Sequence, residues 1–232
     1  MVFMVVTNGY ALHYSHPDAQ GKHGIGAAVT ADGFIGIELQ YGYRIPNIFK
    51  EHDLEINGSI GGPLFGLFPP DSLRICGGVA LGLVDQTPFY LSGMAHVLLQ
   101  TTKNGVGRFA GIGFDLQIQP AFHFNRGYIG LELGWRQMLS MYMHHNERVV
   151  NTFSDRYGDD SNLSSEGPID GWFGVPATQF IVAIVGGMLI KKRTQLYLSG
   201  GLLLTPARGI PWMEGMIGLI PIYLQMGGKV HF

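Results

Sequence analysis

The sequence predicts an all-β fold: a single closed antiparallel transmembrane β-barrel of about ten strands. Three observations predict it. The chain is 46% hydrophobic and only 14% charged, with a mean hydropathy of +0.17, so a large apolar surface has to be hidden. No helix can hide it in a bilayer, because a spanning helix needs about 20 consecutive apolar residues and the best run, Phe180 to Ile190, stops at Lys191-Lys192-Arg193. Most of the chain instead alternates apolar and polar residues with period two over strand-length segments. Strands cross lipid only when every backbone group is paired inside the protein, which requires closure into a barrel.

The elements follow in order. Gly24 to Thr30 leads through the hairpin-type turn Ala31-Asp32-Gly33 into Phe34 to Ile45, where Ile35, Ile37, Leu39, Tyr41 and Tyr43 oppose Gly36, Glu38, Gln40, Gly42 and Arg44. Leu54 to Ile60 carries Glu55, Asn57 and Ser59 on its polar side, and Leu73 to Leu83 carries Arg74, Cys76, Gly78, Ala80 and Gly82. Phe89 to Leu99 turns Tyr90, Ser92 and His96 inward, with Gln100 continuing the row. The cleanest segment is Arg108 to Phe124, whose Ile112, Phe114, Leu116, Ile118 and Phe122 oppose Gly111, Gly113, Asp115, Gln117 and Gln119. In Gly127 to Met141, Ile129, Leu131, Leu133 and Trp135 oppose Tyr128, Glu132, Gly134 and Arg136. Thr178 to Lys191 and Thr194 to Thr205 are apolar on both faces in places, so their register is less sharply specified. Met216 to Phe232 ends the set, with Tyr223, Gln225, Lys229 and His231 inward. Ten strands agree with the even number of such barrels; eight, reached by merging the weaker segments, is the second choice.

An even count leaves both termini on one side. The connections at Pro46 to Asp53, Asp85 to Thr87, Asn125-Arg126 and Lys191 to Arg193 then share that side, and those at Pro63 to Ser72, Thr102 to Val106, Tyr142 to Ala177 and Pro206 to Gly215 lie opposite. Short turns on one side and long loops on the other are the asymmetry of membrane barrels. Tyr41, Tyr43, Phe89, Phe122, Phe124 and Phe232 gather on the terminus side as an aromatic girdle. The domain reading is an N-terminal periplasmic or lumen-associated segment, residues 1–23, followed by a barrel over 24–232 with its longest external loop at 142–177. Met1-Val-Phe-Met-Val-Val lacks the basic start of a signal peptide and is too short to be a complete one, so the chain is expected to begin after processing or with a truncated start. Cys76, the single cysteine, excludes an internal disulfide framework and by parity faces inward.

The last eight residues, Gln225-Met-Gly227-Gly-Lys-Val230-His-Phe232, place a polar residue, a glycine, an apolar residue and a terminal aromatic on a two-residue beat. This stretch resembles the C-terminal β-signal of bacterial outer-membrane β-barrels. The resemblance implies recognition by the barrel-assembly machinery through Gln225, Gly227, Val230 and Phe232, and residence in the outer membrane with its lipid and lipopolysaccharide. Other envelope proteins are further partners under that reading.

The predicted lumen carries Glu38, Arg44, Glu55, Arg74, His96, Asp115, Glu132, Arg136 and Lys229, with both signs interleaved. Small barrels leave an interior that side chains fill, so the first functional reading is a largely plugged barrel acting as anchor or scaffold. A narrow channel for ions or small solutes is the alternative. Ala11-Leu12-His13-Tyr14-Ser15 resembles the His-x-Ser motif of outer-membrane lipid A 3-O-deacylases, which implies His13 as general base and Ser15 as nucleophile, oriented by a downstream glutamate. Here His16 replaces the asparagine usual after the serine, the motif is near the N-terminus, and no glutamate precedes Glu38. A lipid hydrolase is therefore the second alternative, and the acidic and histidine constellation of an omptin-type protease does not assemble. No cofactor or metal is expected. His13, His16 and His23 are imidazoles of the type that suits zinc, copper or nickel, but their spacing fits no tight template; His144-His145 reads as solvated loop. Asp155, Asp159 and Asp160 lack the spaced ligands of a calcium loop. Gly105-x-Gly107-x-x-Ala110 bridges two strands rather than a strand and a helix, so it is no dinucleotide fingerprint. The Asn57-Gly-Ser59 triplet falls within a strand, so it is no glycosylation acceptor. A net charge of -2 gives no basic footprint for nucleic acid.

Overall fold

The computed structural model describes residues 16, 18–31, 35–49, 52–63, 72–86, 88–103, 107–148, 150–151, 170–204 and 222–232. Ten strands form one closed antiparallel barrel: β1 (His23–Ala31), β2 (Ile35–Phe49), β3 (His52–Pro63), β4 (Ser72–Gln86), β5 (Phe89–Lys103), β6 (Gly107–Phe124), β7 (Gly127–His145), β8 (Gly171–Ile190), β9 (Thr194–Leu204) and β10 (Ile222–His231). Each strand pairs with its sequence neighbours, and β1 pairs with β10 to close the ring through Gly24↔His231, Ala27↔Gly228 and Ala28↔Gly227 among others. Ten strands, not eight, is the architecture.

Side-chain alternation decides which face each residue takes. Along β2, Ile35, Ile37, Leu39 and Tyr41 are exposed outward while Glu38, Gln40 and Arg44 are buried inward. The same division holds on β6, where Leu116, Ile118 and Phe122 are exposed and Asp115, Gln117 and Gln119 buried, and on β10, where Leu224, Met226 and Val230 are exposed and Tyr223, Gln225, Lys229 and His231 buried. The registers of β8 and β9, unsettled by the sequence, resolve the same way: Phe180, Val182 and Ile184 face out against Gln179, Ile181 and Ala183, and Leu196 and Leu198 against Gln195, Tyr197 and Ser199. Cys76 is buried at 2% exposure inside the ring.

Four irregularities interrupt the ladder, one of them between β7 and β8, where the pairing passes from Met138↔Ala177 to Ser140↔Gly174. On β7 the pairing jumps from Gly113↔Met138 to Ile112↔Ser140, so Leu139 is an inserted bulge residue. Inward parity consequently switches from even numbers, Tyr128 to Met138, to odd ones, Met141 and His145. Leu83 does the same on β4, between Gly82↔Ser92 and Val84↔Leu91. Near the end of β2 the register slips between Ile45 and Phe49, where Asn47 has φ 56°. A bulge bends its strand and raises the local twist.

The start of β1 and the end of β10 lie at one rim, with the β2–β3, β4–β5, β6–β7 and β8–β9 connections. Of these, β8–β9 is the three-residue connection Lys191 to Arg193, in which Arg193 N–H donates to Ile190 C=O at 3.1 Å, and Lys191 and Lys192, the central residues of that turn, have φ of 51° and 59°. Positive φ at both central positions defines a type I′ turn, the geometry that favours Asn-Gly; for lysine it costs roughly 1–2 kcal/mol per residue. At the opposite rim, β7 and β8 run further than the sequence reading allowed. Tyr142–His145 and residues 171–177 are strand, so the excursion expected over 142–177 narrows to the interval between His145 and Gly171. The β7 bulge hides this continuation, because alternation counted without it breaks at Leu139.

Candidate functional site

The interior is the candidate site. All nine charged and histidine side chains assigned to the lumen are buried: Glu38, Arg44, Glu55, Arg74, His96, Asp115, Glu132, Arg136 and Lys229. Closure brings together residues far apart in sequence. The Lys229 ammonium on β10 pairs with the Glu55 carboxylate on β3, over Gly42, where a Cβ would stand 2.8 Å from the Lys229 nitrogen. Arg136 Nη2 meets Asp115 Oδ2 at 3.3 Å and its Nη1 donates to Gln179 Oε1 at 3.2 Å. Gln117 Nε2 donates to the same Asp115 oxygen at 2.8 Å. Glu132 does not join Arg136; it accepts from Ser199 Oγ at 2.8 Å.

Several of these bonds skip strands and so bridge the lumen. Tyr197 on β9 donates to Gln40 on β2 at 2.8 Å, and His96 on β5 meets Asn57 Oδ1 on β3 at 2.9 Å. Gln195 on β9 donates to the Tyr128 hydroxyl on β7 at 3.3 Å. Ile181, Ala183, Leu203 and Tyr223 add an apolar cluster on the same inner wall. Bonded side chains therefore line and cross the interior. Removing one partner of a buried ion pair leaves an uncompensated charge, which ties this network to barrel stability. Asn57 Nδ2, Ser92 Oγ, Asp115 Oδ1 and Gln225 Nε2 are buried and bond to no group among the described residues.

The terminus-bearing mouth is strapped. His16 is 2% exposed; its N–H donates to Gln195 Oε1 at 2.9 Å, and its ring lies against those of His123 (4.7 Å between centroids) and Tyr128 (5.8 Å). Arg44 Nη1 donates to Ala19 C=O at 2.9 Å, while its Nε contacts Asp53 Oδ2 at 2.9 Å. Gln20 N–H donates to Lys192 C=O at 2.7 Å. Gly21, at φ +128°, sits so close that a Cβ would fall 2.6 Å from Phe232 N. Burial, the neighbouring His123 and the more distant Arg44 hold the His16 imidazole down to about pKa 4, against a smaller upward pull from Asp18. Asp18 N–H donates to His16 Nδ1 at 3.2 Å, which leaves the neutral ring's proton on Nε2 and takes from Nδ1 the proton that a metal-bound imidazole ordinarily donates to its second partner. His23 turns away, to Tyr41 and Phe232, so His16 and His23 do not converge on one ion. His13 and Ser15, like Asp155, Asp159 and Asp160, lie outside the described residues.

At the loop-bearing rim, Asp170 clasps both members of His144-His145. His144 Nδ1 meets Asp170 Oδ2 at 2.6 Å, and Asp170 Oδ1 accepts from His145 N–H and faces His145 Nδ1, both at 2.8 Å. These bonds, the His145 backbone N–H first, draw the Asp170 carboxyl down to about pKa 2. The pair expected to be solvated loop is thus a fastening between β7 and β8. Sequence reasoning also passed over Gln195, Tyr197 and Ser199. Their two-residue spacing on β9 was the available signal, masked by the glycines and leucines around it. The four residues expected from the resemblance to form an assembly signal lie at the seam: Gln225 is buried inside, Val230 and Phe232 are exposed outside, and Gly227 packs beneath Tyr197.

No protein-family model matches the chain, and no curated protein is significantly similar to it.

Proposed function

We propose that this chain is an integral outer-membrane barrel that serves as a closed anchor or scaffold, without enzymatic activity. One observation carries the reading: the outer wall is apolar on every strand while the inner wall is polar and locked by bonds that bridge the lumen. Leu39, Phe122 and Ile184 are 58%, 57% and 61% exposed, within an apolar surface far larger than the few hundred Å² that soluble monomers present. Each strand has at least the nine residues that a tilted crossing needs. The aromatic residues Tyr41, Phe122, Phe124 and Phe232 are exposed at the terminus-bearing rim, where a girdle belongs. With that rim periplasmic, the C-terminal strand offers Gln225, Gly227, Val230 and Phe232 to the assembly machinery, and lipid and lipopolysaccharide surround the wall.

A narrow channel is the second reading, favoured by the buried polar lumen atoms that bond to no other described group. Single-channel recording on refolded protein in a planar bilayer separates the two, with heat-modifiable gel migration verifying closure. Electrical silence from a verified barrel is the expected result; discrete ion-selective steps would replace the anchor by the channel. Loss of heat modifiability together with failure to enter vesicles would remove the membrane reading itself.

A further inference from the structure

At the terminus-bearing rim, Asp53 and the exposed Asp85 stand on the β3–β5 side, the exposed Asp18 and Lys22 on the strap, and Arg126, Lys191, Lys192 and Arg193, all exposed, on the β6–β9 side. None of these four cations has an ion-pair partner among the described residues. The β6–β7 turn adjoins the end of β8 that leads into the other turn, because Leu189 N–H donates to Arg126 C=O at 2.7 Å. Two of the four occupy the positive-φ positions of a type I′ turn, where asparagine and glycine relieve the backbone. The backbone therefore gives no reason for lysine there, and strain retained at a surface points to use.

Below this cluster, on the same side, the outer wall is hollowed. A trough of about 860 Å³ runs over the outward faces of β4 to β9, lined almost wholly by apolar atoms, with Gly93 and Ala95 as its floor and Leu116, Trp135, Phe180 and Leu204 among its walls. Between trough and rim, Gly186 and Gly200 face outward with no bulk of their own, while their neighbours Gly187 and Gly201 face the lumen. From Gly127 to Leu133 the strand climbs roughly 20 Å, or about 15 Å along the barrel axis at a 40° tilt. That is half the thickness of a hydrocarbon core. Headgroup-level cations therefore stand above a hollow at acyl-chain depth.

We propose that the β6–β9 side binds an anionic phospholipid of the leaflet at this rim, its phosphate held by Arg126, Lys191, Lys192 and Arg193 and its chains laid over Gly186 into the trough. The proposal rests on the membrane-barrel reading above. Charge complementarity selects an anionic over a zwitterionic lipid, and each surface cation contributes a factor of about five at low ionic strength. The apolar trough selects a lipid over a soluble phosphate.

The test is native mass spectrometry of the full refolded chain released from detergent with phosphatidylglycerol or phosphatidylcholine of identical chains. A retained phosphatidylglycerol adduct, at least tenfold above phosphatidylcholine, is expected. Lys191→Asn with Lys192→Gly removes two charges while relaxing the turn, so it should fold as well as the parent and lose most of that preference. Arg126→Gln with Arg193→Gln is the second variant and should behave alike. Ala95→Phe, filling the trough, should weaken both adducts and leave their ratio unchanged. Equal retention of the two lipids by a barrel that inserts into phosphatidylcholine vesicles overturns this inference alone, whereas failure to insert removes the membrane reading. Displacement of the adduct by excess inorganic phosphate would reveal a free-anion site and overturn the lipid assignment.

Discussion

At the scale of single residues, the buried pair of Glu55 and Lys229 is the point where closure and charge are most tightly joined, since its partners sit on β3 and β10. Glu55→Ala or Lys229→Ala strands one charge in the lumen, and each should destabilise the barrel by about 3–5 kcal/mol in urea-dependent unfolding followed by gel mobility. The double replacement Glu55→Gln with Lys229→Met should recover most of that loss; a double variant no better than either single one would mean that the pair acts through packing. Asp170 supplies a pH prediction outside the barrel wall. Its carboxyl is drawn down from 3.8 to about 2, so the clasp's contribution is complete above the ordinary value and is lost as pH falls through about 2. Carboxylate NMR should therefore find an Asp170 midpoint near 2, moving back toward 3.8 in His145→Ala. A midpoint unmoved by that substitution would detach the shift from the clasp.

At the scale of elements, the strap and the bulges each make a measurable claim. His16 docks as a neutral imidazole, with a pKa lowered from 6.5 to about 4. Because the bound state resists protonation, docking is fully favourable above 6.5, weakens as pH falls toward 4, and weakens no further below it. Limited proteolysis around residues 16–22 should accelerate across that window in the intact barrel, and His16→Phe should flatten the dependence. Deleting Leu139 removes the extra residue of β7, and the ladder should then run unbroken from Gly113↔Met138 to Ile112↔Ser140 with Met141 and His145 still inward. Cysteine labelling at Tyr142 and Met143 reports which of the two faces water. This is also where the sequence was least legible. Alternation names the face of a residue directly, so β2, β3 and β6 can be read from their own composition, but one inserted residue reverses every assignment beyond it. Such an insertion shows only in the pairing with a neighbour. For the same reason Glu132 could be placed inside the barrel from sequence, whereas its partner Ser199 could not, because that contact exists only once β7 and β9 curve toward each other.

At the scale of the whole molecule, side chains meet across the interior as struts, and under the closed-anchor proposal the lumen stays shut only while they are long enough to do so. Tyr197→Ala combined with Tyr223→Ala takes out two buried aromatic rings without leaving a charge unpaired. Discrete conductance steps should appear in a barrel that still shifts on heating; continued silence would mean that the charged layer alone closes the lumen. The ring itself is not uniform around its circumference. Where β1 meets β10, the facing residues include Gly24, Gly26, Ala27 and Ala28 on one side and Gly227 and Gly228 on the other, so this junction is held by backbone bonds with few side chains to reinforce them. Every other strand boundary joins neighbours in sequence, while this one joins the two ends of the chain and has the longest loop to close before it forms. Pulled by its termini, the barrel should part first at this line, as a zip does, and its opening should proceed one strand at a time instead of by general collapse.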